Sequence, residues 1–376
     1  MSAATRACFR AAHAAAADWT AAVGACLENL APLPEGANIG FLYLTDRLAQ
    51  NIEPIAARLK AATGIDAWIG TVGIGVCASG VEYFDQPALC IMVGALPQRR
   101  FALFDAARQD LASFIERNRS WLDLNPGNFG IVHADPRNAE ILKLIPALGE
   151  AASSFLVGAL TSSRGIHAQL AGGLSEGGVS GLVVSGEVGI ATGLTQGCSP
   201  IGPAHLVTEA EGNVIAGLDE RPVLEVFREE IGEVLARDLR RVGGYIFAAV
   251  PVKGADWGDY MVRNLVAIDE AQGLLQIAEA VEPGSQVMFC RRDRAAAEKD
   301  LRRMLEQLKA RLDGPPRGAL YHTCLARGPN LFGQDSQELK MIQDVLGEVP
   351  LVGFFGNGEI SNNRLYTYTG VLSVFC

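Results

Sequence analysis

The stretch Phe155-Leu-Val-Gly-Ala-Leu160 decides the fold, because its core recurs twice elsewhere in the chain. Leu156-Val157-Gly158 is matched by Trp68-Ile69-Gly70 and by Leu351-Val352-Gly353. Each triplet belongs to an apolar run of strand length that follows a predicted helix and precedes a polar bend. The glycine lets two backbones approach closely, or takes a positive φ. The recurrence predicts three copies of one βαββ-type unit.

An apolar strand opens each copy, and a helix follows it. The opening strands are predicted at Asn38–Asp46, Asn128–Asp135 and Gly318–Thr323. The helices are predicted at about 45–62, 136–148 and 336–346, with Gly64 ending the first. A fourth, looser copy is predicted from a helix at 222–241 into strands at 245–250 and 262–268. The pattern predicts a mixed α/β fold in which helices cover mixed sheets.

Three further elements are predicted near the start of the chain. The Ala-rich segment Met1–Gly24 is interpreted as an amphipathic helix rather than a targeting peptide, because it has no solid apolar core. Strands at 88–94 and 101–104 are predicted to pair as a hairpin, and a helix is predicted at about 105–119.

Composition limits the class of protein. A length of 376 residues exceeds one ordinary core and predicts two domains, and 49% hydrophobic residues indicate a globular chain. A net charge of −10 without a long basic run disfavours nucleic acid and anionic membranes as partners. No apolar window is long enough to cross a bilayer. Eight scattered cysteines without a C-x-x-C pair favour a reducing, cytoplasmic setting.

A rigid polar loop, Thr195–Pro203, lies between apolar runs near the middle of the chain. Its glycines and prolines fix an unusual backbone path, which favours a binding site. Gln196, Gly197 and Cys198 are the candidate ligand contacts, forming one wall of a pocket. The alternative is a thiol enzyme, an amidase or a transferase, in which Cys198 is the nucleophile.

The repeats and this loop together resemble the FIST family. The resemblance rests on the following stretches, in chain order: Phe155–Ser163, Gly177–Gly181, Thr195–Pro203, Leu218–Pro222, Ala326–Gly333 and Val352–Ile360. It implies an N-terminal helix and linker at 1–35, a FIST N-terminal module at 36–220 and a FIST C-terminal module at 221–376.

The resemblance also implies a function. FIST proteins are sensory proteins that bind small ligands inside the cell and signal through a protein partner. A subset is described as haem-binding nitric-oxide sensors that act on a histidine kinase. A homodimer is compatible with this reading, and so is a scaffold that binds no ligand.

Three histidines are candidate axial ligands for haem b, which needs only one or two. His133 and His322 are predicted near the ends of equivalent strands in copies two and three, and His205 follows the polar loop. No pair of histidines has the spacing of a zinc or di-iron helix. For each histidine, a structural role is the alternative.

Four polar residues near the third copy form a second candidate site: Arg327, Asn330, Asn357 and Glu359. They are expected on loops at strand ends, where ligands gather in such sheets. Arg327 is suited to a ligand carboxylate and Glu359 to a ligand ammonium group, as in an amino acid. An internal ion pair that ties the loops together is the alternative.

Overall fold

The computed structural model describes residues 9–107, 111–125, 128–252 and 259–376. The chain forms two compact units. The large unit combines Met1–Thr195 with Asp300–Cys376, and the small unit is the continuous segment Gln196–Lys299. All three copies lie in the large unit. The division into modules at residue 220 refers to sequence boundaries and stays a prediction.

Each copy has the same order of elements: strand, helix, strand, helix, strand, short hairpin, strand. Copy 1 contains β1 Phe9–Ala15, α1 Trp19–Leu30, β2 Ile39–Thr45, α2 Ile52–Thr63, β3 Ala67–Gly73, β4 Gly75–Ala78, β5 Val81–Phe84 and β6 Ala88–Gly94. Copy 2 contains β7 Phe101–Ala107, α3 Ala112–Leu124, β8 Asn128–Ala134, α4 Ile141–Ala151, β9 Ser154–Leu160, β10 Gln169–Ala171, β11 Leu174–Ser175 and β12 Val179–Val184.

Copy 3 is interrupted in sequence by the small unit. It contains β13 Ile190–Gln196, α7 Arg294–Ala310, β22 Gly318–Cys324, α8 Gln337–Leu346, β23 Leu351–Gly356, β24 Glu359–Ser361, β25 Arg364–Tyr366 and β26 Thr369–Phe375. The small unit enters between β13 and α7. The repeat is therefore longer than the predicted βαββ unit, since each copy carries one more strand and one more helix in front of it.

Each copy builds a six-stranded mixed sheet from four of its own strands and a hairpin from another copy. The strand orders are β1-β6-β2-β3-β10-β11, β7-β12-β8-β9-β24-β25 and β13-β26-β22-β23-β4-β5. The two strands joined by the second helix of a copy run parallel, as a helical crossover allows. Copy 1 gives its hairpin to copy 3, copy 2 to copy 1, and copy 3 to copy 2. No copy completes its sheet alone.

The glycine of each predicted triplet lies where the parallel strands approach most closely. A Cβ added to Gly70, Gly158 or Gly353 would lie 1.7, 1.8 or 1.7 Å from the carbonyl oxygen of the facing residue on the parallel neighbour. Any side chain there would displace the backbone. The interpretation of these glycines as close-packing residues is confirmed.

The three sheets share one core. Apolar side chains from equivalent positions of β2, β8 and β22, such as Phe41, Ile131 and Leu320, meet in a single buried cluster. The other faces of the first two sheets pack against their own helices in separate clusters. The predicted mixed α/β class, with mixed sheets covered by helices, is confirmed.

The small unit is built from short antiparallel strands. Its elements are β14 Cys198–Pro200, β15 His205–Glu211, β16 Val214–Leu218, β17 Arg221–Pro222, α5 Val223–Ile231, α6 Glu233–Ala236, β18 Ile246–Pro251, β19 Tyr260–Asp269, β20 Leu274–Ile277 and β21 Gln286–Arg292. Because β21 pairs with both β15 and β18, the strands close into a ring. The predicted fourth copy is wrong, since β18 and β19 pair directly as an antiparallel hairpin. In the three copies the strand before the helix lies between the two corresponding strands, as β2 lies between β3 and β6.

The start of the chain differs from its prediction. Phe9–Ala15 is a strand that pairs with β6, and the helix begins only at Trp19, capped by the Asp18 side chain. Residues 1–8 of the predicted helix lie outside the described residues. The predicted hairpin of 88–94 with 101–104 is also wrong, because β6 and β7 belong to different sheets. Within the described ranges, no helix combines the length and apolarity needed to cross a membrane.

Candidate functional site

Tyr43, His133 and His322 occupy the same position in the three copies. They lie on β2, β8 and β22. Each pairs with the residue that directly follows the triplet glycine on the neighbouring parallel strand. The Tyr43 hydroxyl lies 3.1 Å from Nε2 of His133 and 3.2 Å from Nε2 of His322, and all three side chains are fully buried. The repeat therefore brings one polar side chain from each copy to a shared centre.

These histidines are neutral. Burial lowers the pKa of His133 well below its usual value, and the nearby His322 adds to the effect. Burial lowers the pKa of His322 to about 3. Since a hydroxyl donates one proton, Tyr43 donates to one Nε2 and accepts from the other, so the two imidazoles are opposite tautomers. Neither Nδ1 has a hydrogen-bond partner among the described residues.

The centre does not fit a haem. An axial histidine must point its Nε2 into a pocket that holds a porphyrin. Here both Nε2 atoms face the Tyr43 hydroxyl, and Phe354 packs against all three rings at centroid distances of 5.2 to 5.7 Å. His133 and His322 are thus hydrogen-bonded core residues.

His205 lies apart from these two, in the small unit. Its Nδ1 is 2.7 Å from Oδ2 of Asp219, and its Nε2 has no hydrogen-bond partner among the described residues. Oε1 of Glu230 lies 3.7 Å from that nitrogen. A carboxylate on Nδ1 with a free Nε2 is the arrangement that orients a metal-binding histidine.

Arg327 is fully buried and is paired with a residue that the sequence did not indicate. Its Nε and Nη2 lie 2.8 and 2.7 Å from Oε1 of Glu338, at the start of α8. Tyr321 donates a hydrogen bond to the same oxygen, and the amide of Gly328 donates to the other. The guanidinium also stacks on Phe332 at 5.0 Å. The predicted alternative of an internal ion pair thus exists, with Glu338 rather than Glu359 as the acid.

Glu359 is also fully buried. Its Oε2 accepts hydrogen bonds from the amide and the hydroxyl of Thr369, at 3.1 and 2.8 Å. Burial raises the pKa of Glu359 to about 8, although Thr369 and Arg327 act to lower it. Burial and the charge of Glu338 likewise raise the pKa of Glu82 to about 8. Arg327 and Glu359 as ligand contacts stay predictions, and both would need an opening of the fold.

The remaining candidates are placed separately. Asn330 is exposed and donates to the carbonyl of Leu325, and Asn357 is exposed on the turn before β24. In the small unit, the Gln196 amide donates to the carbonyl of Tyr260, whose hydroxyl donates to the carbonyl of Cys198. Gln196, Gly197 and Cys198 are buried. Gln196 ends β13 and Cys198 begins β14, which pairs with β21, so this segment is strand on both sides of Gly197 rather than a projecting loop.

A cavity of 1220 Å³ opens at the carboxyl end of β8 in copy 2. Its charged floor is a chain of three residues. Arg137 binds Asp135 through Nε and Nη2, at 2.6 to 3.2 Å, and binds Oε2 of Glu176 through Nη2 at 2.7 Å. Asp135 is fully buried, whereas half of the Arg137 side chain is exposed. Strand ends of this kind are where α/β sheets place ligands.

The electrostatics of the cavity are fixed by these contacts. Burial acts to raise the pKa of Asp135, but hydrogen bonds from Arg137 and from the Gly177 amide outweigh it and lower the pKa. Arg137 therefore faces a permanent carboxylate. Arg137 lines the cavity, and among the described residues its Nη1 makes no hydrogen bond, whereas Nε and Nη2 are both engaged.

The wall of the cavity is acidic overall. Its charged lining residues are Asp105, Asp135, Glu140, Glu176, Arg117 and Arg137. Among the described lining residues, four carboxylates face two guanidiniums. Because Glu140 is also paired with Lys143 at 2.9 Å, one negative charge is left in excess, which favours a ligand that carries an amine. This site was not predicted from the sequence, because Asp135 was interpreted only as the end of a strand. The available signal was an arginine two residues beyond an acid at a strand end.

Comparison with known proteins agrees with the sequence resemblance. Residues 38–221 match the FIST N domain, and residues 224–362 match the FIST C domain. An uncharacterized protein of Mycobacterium tuberculosis (strain ATCC 25618 / H37Rv) is 31% identical over 345 residues, which is 85% of this chain and 86% of the relative. An uncharacterized protein of Mycobacterium bovis is 37% identical over 207 residues, 53% of each chain.

FIST domains are sensory domains of signal transduction that bind small ligands, and they are not known as enzymes. The two domain matches together cover most of this chain, and the match to the Mycobacterium tuberculosis protein covers 85% of it. The chain belongs to the FIST family.

Proposed function

We propose that this protein senses a small amine-bearing metabolite, of the amino-acid type, in the cavity at the end of β8. The proposal rests on one observation: Arg137 lines an acidic cavity while Asp135 and Glu176 hold its Nε and Nη2, and among the described residues its Nη1 edge makes no hydrogen bond. A ligand carboxylate would bind that edge, and a ligand ammonium group would be drawn to the surplus negative charge. The protein would then signal ligand binding to a protein partner, as in other FIST proteins.

The rigidity of Arg137 favours selective binding. A guanidinium that already makes two ion pairs loses little conformational entropy when a ligand arrives. The partly exposed Arg117, which also lines the cavity, is paired with Asp105 at 2.9 Å, so it is also held in place. The cavity is larger than a single amino acid, which leaves room for a longer side chain or for bridging water.

The test is a thermal-shift screen of the purified protein against amino acids and polyamines, followed by calorimetry on any hit. A ligand that binds only the folded state raises the melting temperature by mass action. The variants Arg137→Ala and Glu176→Gln should remove the shift.

Arg164→Ala is a matched control. Arg164 also bridges two acids, Asp46 and Asp85, and is 45% exposed, but it does not line the cavity. This variant should lose comparable stability and keep the ligand-induced shift. A shift that persists in both cavity variants, or a screen without any hit, contradicts the proposal.

A haem-based nitric-oxide sensor that regulates a histidine kinase is a second candidate, and His205 supports it. Its imidazole is oriented by Asp219, and its Nε2 makes no hydrogen bond among the described residues, unlike the Nε2 atoms of His133 and His322. Because this nitrogen is buried 3.7 Å from Glu230, haem binding there requires the carboxylate to move away. Bound haem would bind nitric oxide, and the chain would provide the Nε2 atom of His205 as a ligand for the haem. Haem titration should give a sharp Soret band that His205→Ala abolishes. No band, or a band unchanged in that variant, rejects this candidate. A cytoplasmic setting and a homodimer stay predictions.

A further inference from the structure

The small unit has an apolar pocket of 270 Å³ between the segment that follows α6 and the strand β19. We call it the arginine-flanked pocket. Its lining residues are Leu239, Arg240, Val242, Gly243, Leu265, Val266, Ala267, Ile268 and Glu270. The volume suits one large apolar side chain rather than a whole metabolite.

The floor of this pocket is apolar and its rim is exposed. Leu239 and Val242 are nearly fully buried, so they are fixed in place as part of the small unit's core. Val266 on the rim is 55% exposed, and Tyr245, which follows the lining segment in sequence, is 67% exposed. Large apolar side chains exposed in one region indicate an interaction surface.

The segment beside the pocket is basic, although the protein as a whole carries a charge of −10. Arg237, Arg240 and Arg241 lie within five residues and are all exposed. Arg240 pairs with Asp238 at 2.8 Å, and Arg237 approaches Glu233 at 3.7 Å with both side chains exposed. Arg241 has no ion pair among the described residues. Exposed pairs of this kind are weak and exchange readily for another acid.

We propose that the arginine-flanked pocket docks an acidic segment of a partner protein that carries one apolar anchor residue. The anchor would fill the pocket above Leu239 and Val242, and the acids would bind the three arginines. Such a combination of a buried anchor and a charged rim is how short peptide segments are recognised. The surface would be an output site, separate in sequence and in residues from the cavity of copy 2.

The charge of this surface favours an acidic protein segment over a second copy of the chain, an anionic membrane or nucleic acid. A second copy of the chain docking through the same surface would place arginines against arginines, which is unfavourable in a two-fold contact. Three arginines on an acidic protein fall short of the four to eight basic residues that hold a protein on anionic lipid. Nucleic acid binding calls for a basic stripe, and the pocket rim also carries Glu270.

The test uses a fluorescent twelve-residue peptide of Asp and Glu with one central Leu. Fluorescence anisotropy measures its binding to the full chain. Substituting both exposed residues Arg237 and Arg241 by Glu should weaken binding by about tenfold or more, which is about 1.4 kcal/mol. Val266→Asp, which puts a carboxylate on the rim, should weaken it similarly. The double variant Lys299→Glu, Arg302→Glu, at two exposed positions of α7, is the charge-matched control and should bind as the parent protein does.

Two further probes separate the alternatives. A peptide with Ala in place of the Leu should bind several-fold more weakly, because the pocket stays empty. Equal binding of both peptides, or unchanged binding to the Arg237 and Arg241 variant, overturns the proposal. Tighter binding to single-stranded RNA or to phosphatidylserine vesicles than to the peptide also overturns it, in favour of those partners.

Discussion

The guanidinium of Arg327 lies 2.7 Å from the carboxylate of Glu338, and neither side chain is exposed to solvent. This pair ties the loop after β22 to the first turn of α8 and closes the strand end of copy 3. At the same place in copy 2, Arg137 binds its acids at the surface and leaves a cavity open. The same part of the repeat is thus closed by a buried ion pair in copy 3 and forms a candidate ligand site in copy 2.

Removing one partner of the buried pair should be costly. Glu338→Gln leaves Arg327 with an unpaired charge in the core, so we expect the free energy of unfolding to fall by about 3–5 kcal/mol. Urea unfolding measures it. The double variant Arg327→Met, Glu338→Leu should recover much of the loss. As a control, Arg303→Ala breaks the more exposed pair with Asp300 and should cost less than about 1 kcal/mol. Equal losses in the two single variants would contradict this account.

The shared centre gives a second prediction. Tyr43→Phe removes the hydroxyl that both histidine Nε2 atoms use, while keeping the ring. It leaves two buried polar atoms unsatisfied, so we expect a loss of about 1–3 kcal/mol in chemical denaturation. Tyr83→Phe is the control, because that tyrosine is only partly buried and contacts a single histidine, His13, at 2.6 Å. A smaller loss for Tyr43→Phe than for this control would count against the centre as a stabilising feature.

Much of the large unit could be predicted from the sequence. The triplet Leu156-Val157-Gly158 and its two counterparts carry a local signal, since apolar strand residues and a glycine appear together whatever the distant partners are. The hairpin exchange could not be predicted, because β4, β10 and β24 show only that a strand follows, not which sheet it joins. That choice depends on packing among all three copies.

The sites were harder to predict than the fold. His133 and His322 were correctly assigned to equivalent strands, but Tyr43 was not recognised as the third member, because its residue type differs. Glu338 lies inside the helix predicted at 336–346 and was not singled out as a site residue, although it is the partner of Arg327. Long-range pairing of this kind leaves no spacing pattern in a single sequence.

The triplet glycines give a third prediction. Gly353→Ala would place a Cβ 1.7 Å from the Tyr321 carbonyl oxygen, so the parallel strands must separate. We expect a loss of several kcal/mol or failure to fold, whereas ordinary glycine substitutions cost about 1 kcal/mol or less. Gly165→Ala is the control, since its added Cβ meets no atom within 4 Å among the described residues. Melting temperatures of the two variants that differ by only a degree or two would refute the close-contact account.

The last prediction concerns pH, through Glu359. Burial raises the pKa of this carboxyl from 4.5 to about 8 in the folded protein. The folded state therefore holds a proton that the unfolded state has released, and it binds more protons between those two values. By linkage, the stability contributed by this group falls as the pH rises from about 4.5 to about 8, and above that range the loss is complete.

Glu359→Gln mimics the protonated carboxyl at every pH, so it should remove this part of the pH dependence. We expect the variant to resemble the parent protein near pH 5 and to be the more stable of the two at pH 8.5. Urea unfolding at half-unit pH steps measures both curves. Glu140→Gln is the control, because this exposed residue is paired only with Lys143 and should leave the slope unchanged. A Glu359→Gln curve parallel to that of the parent would contradict this account, because it would mean that Glu359 binds its proton equally well in the folded and the unfolded protein.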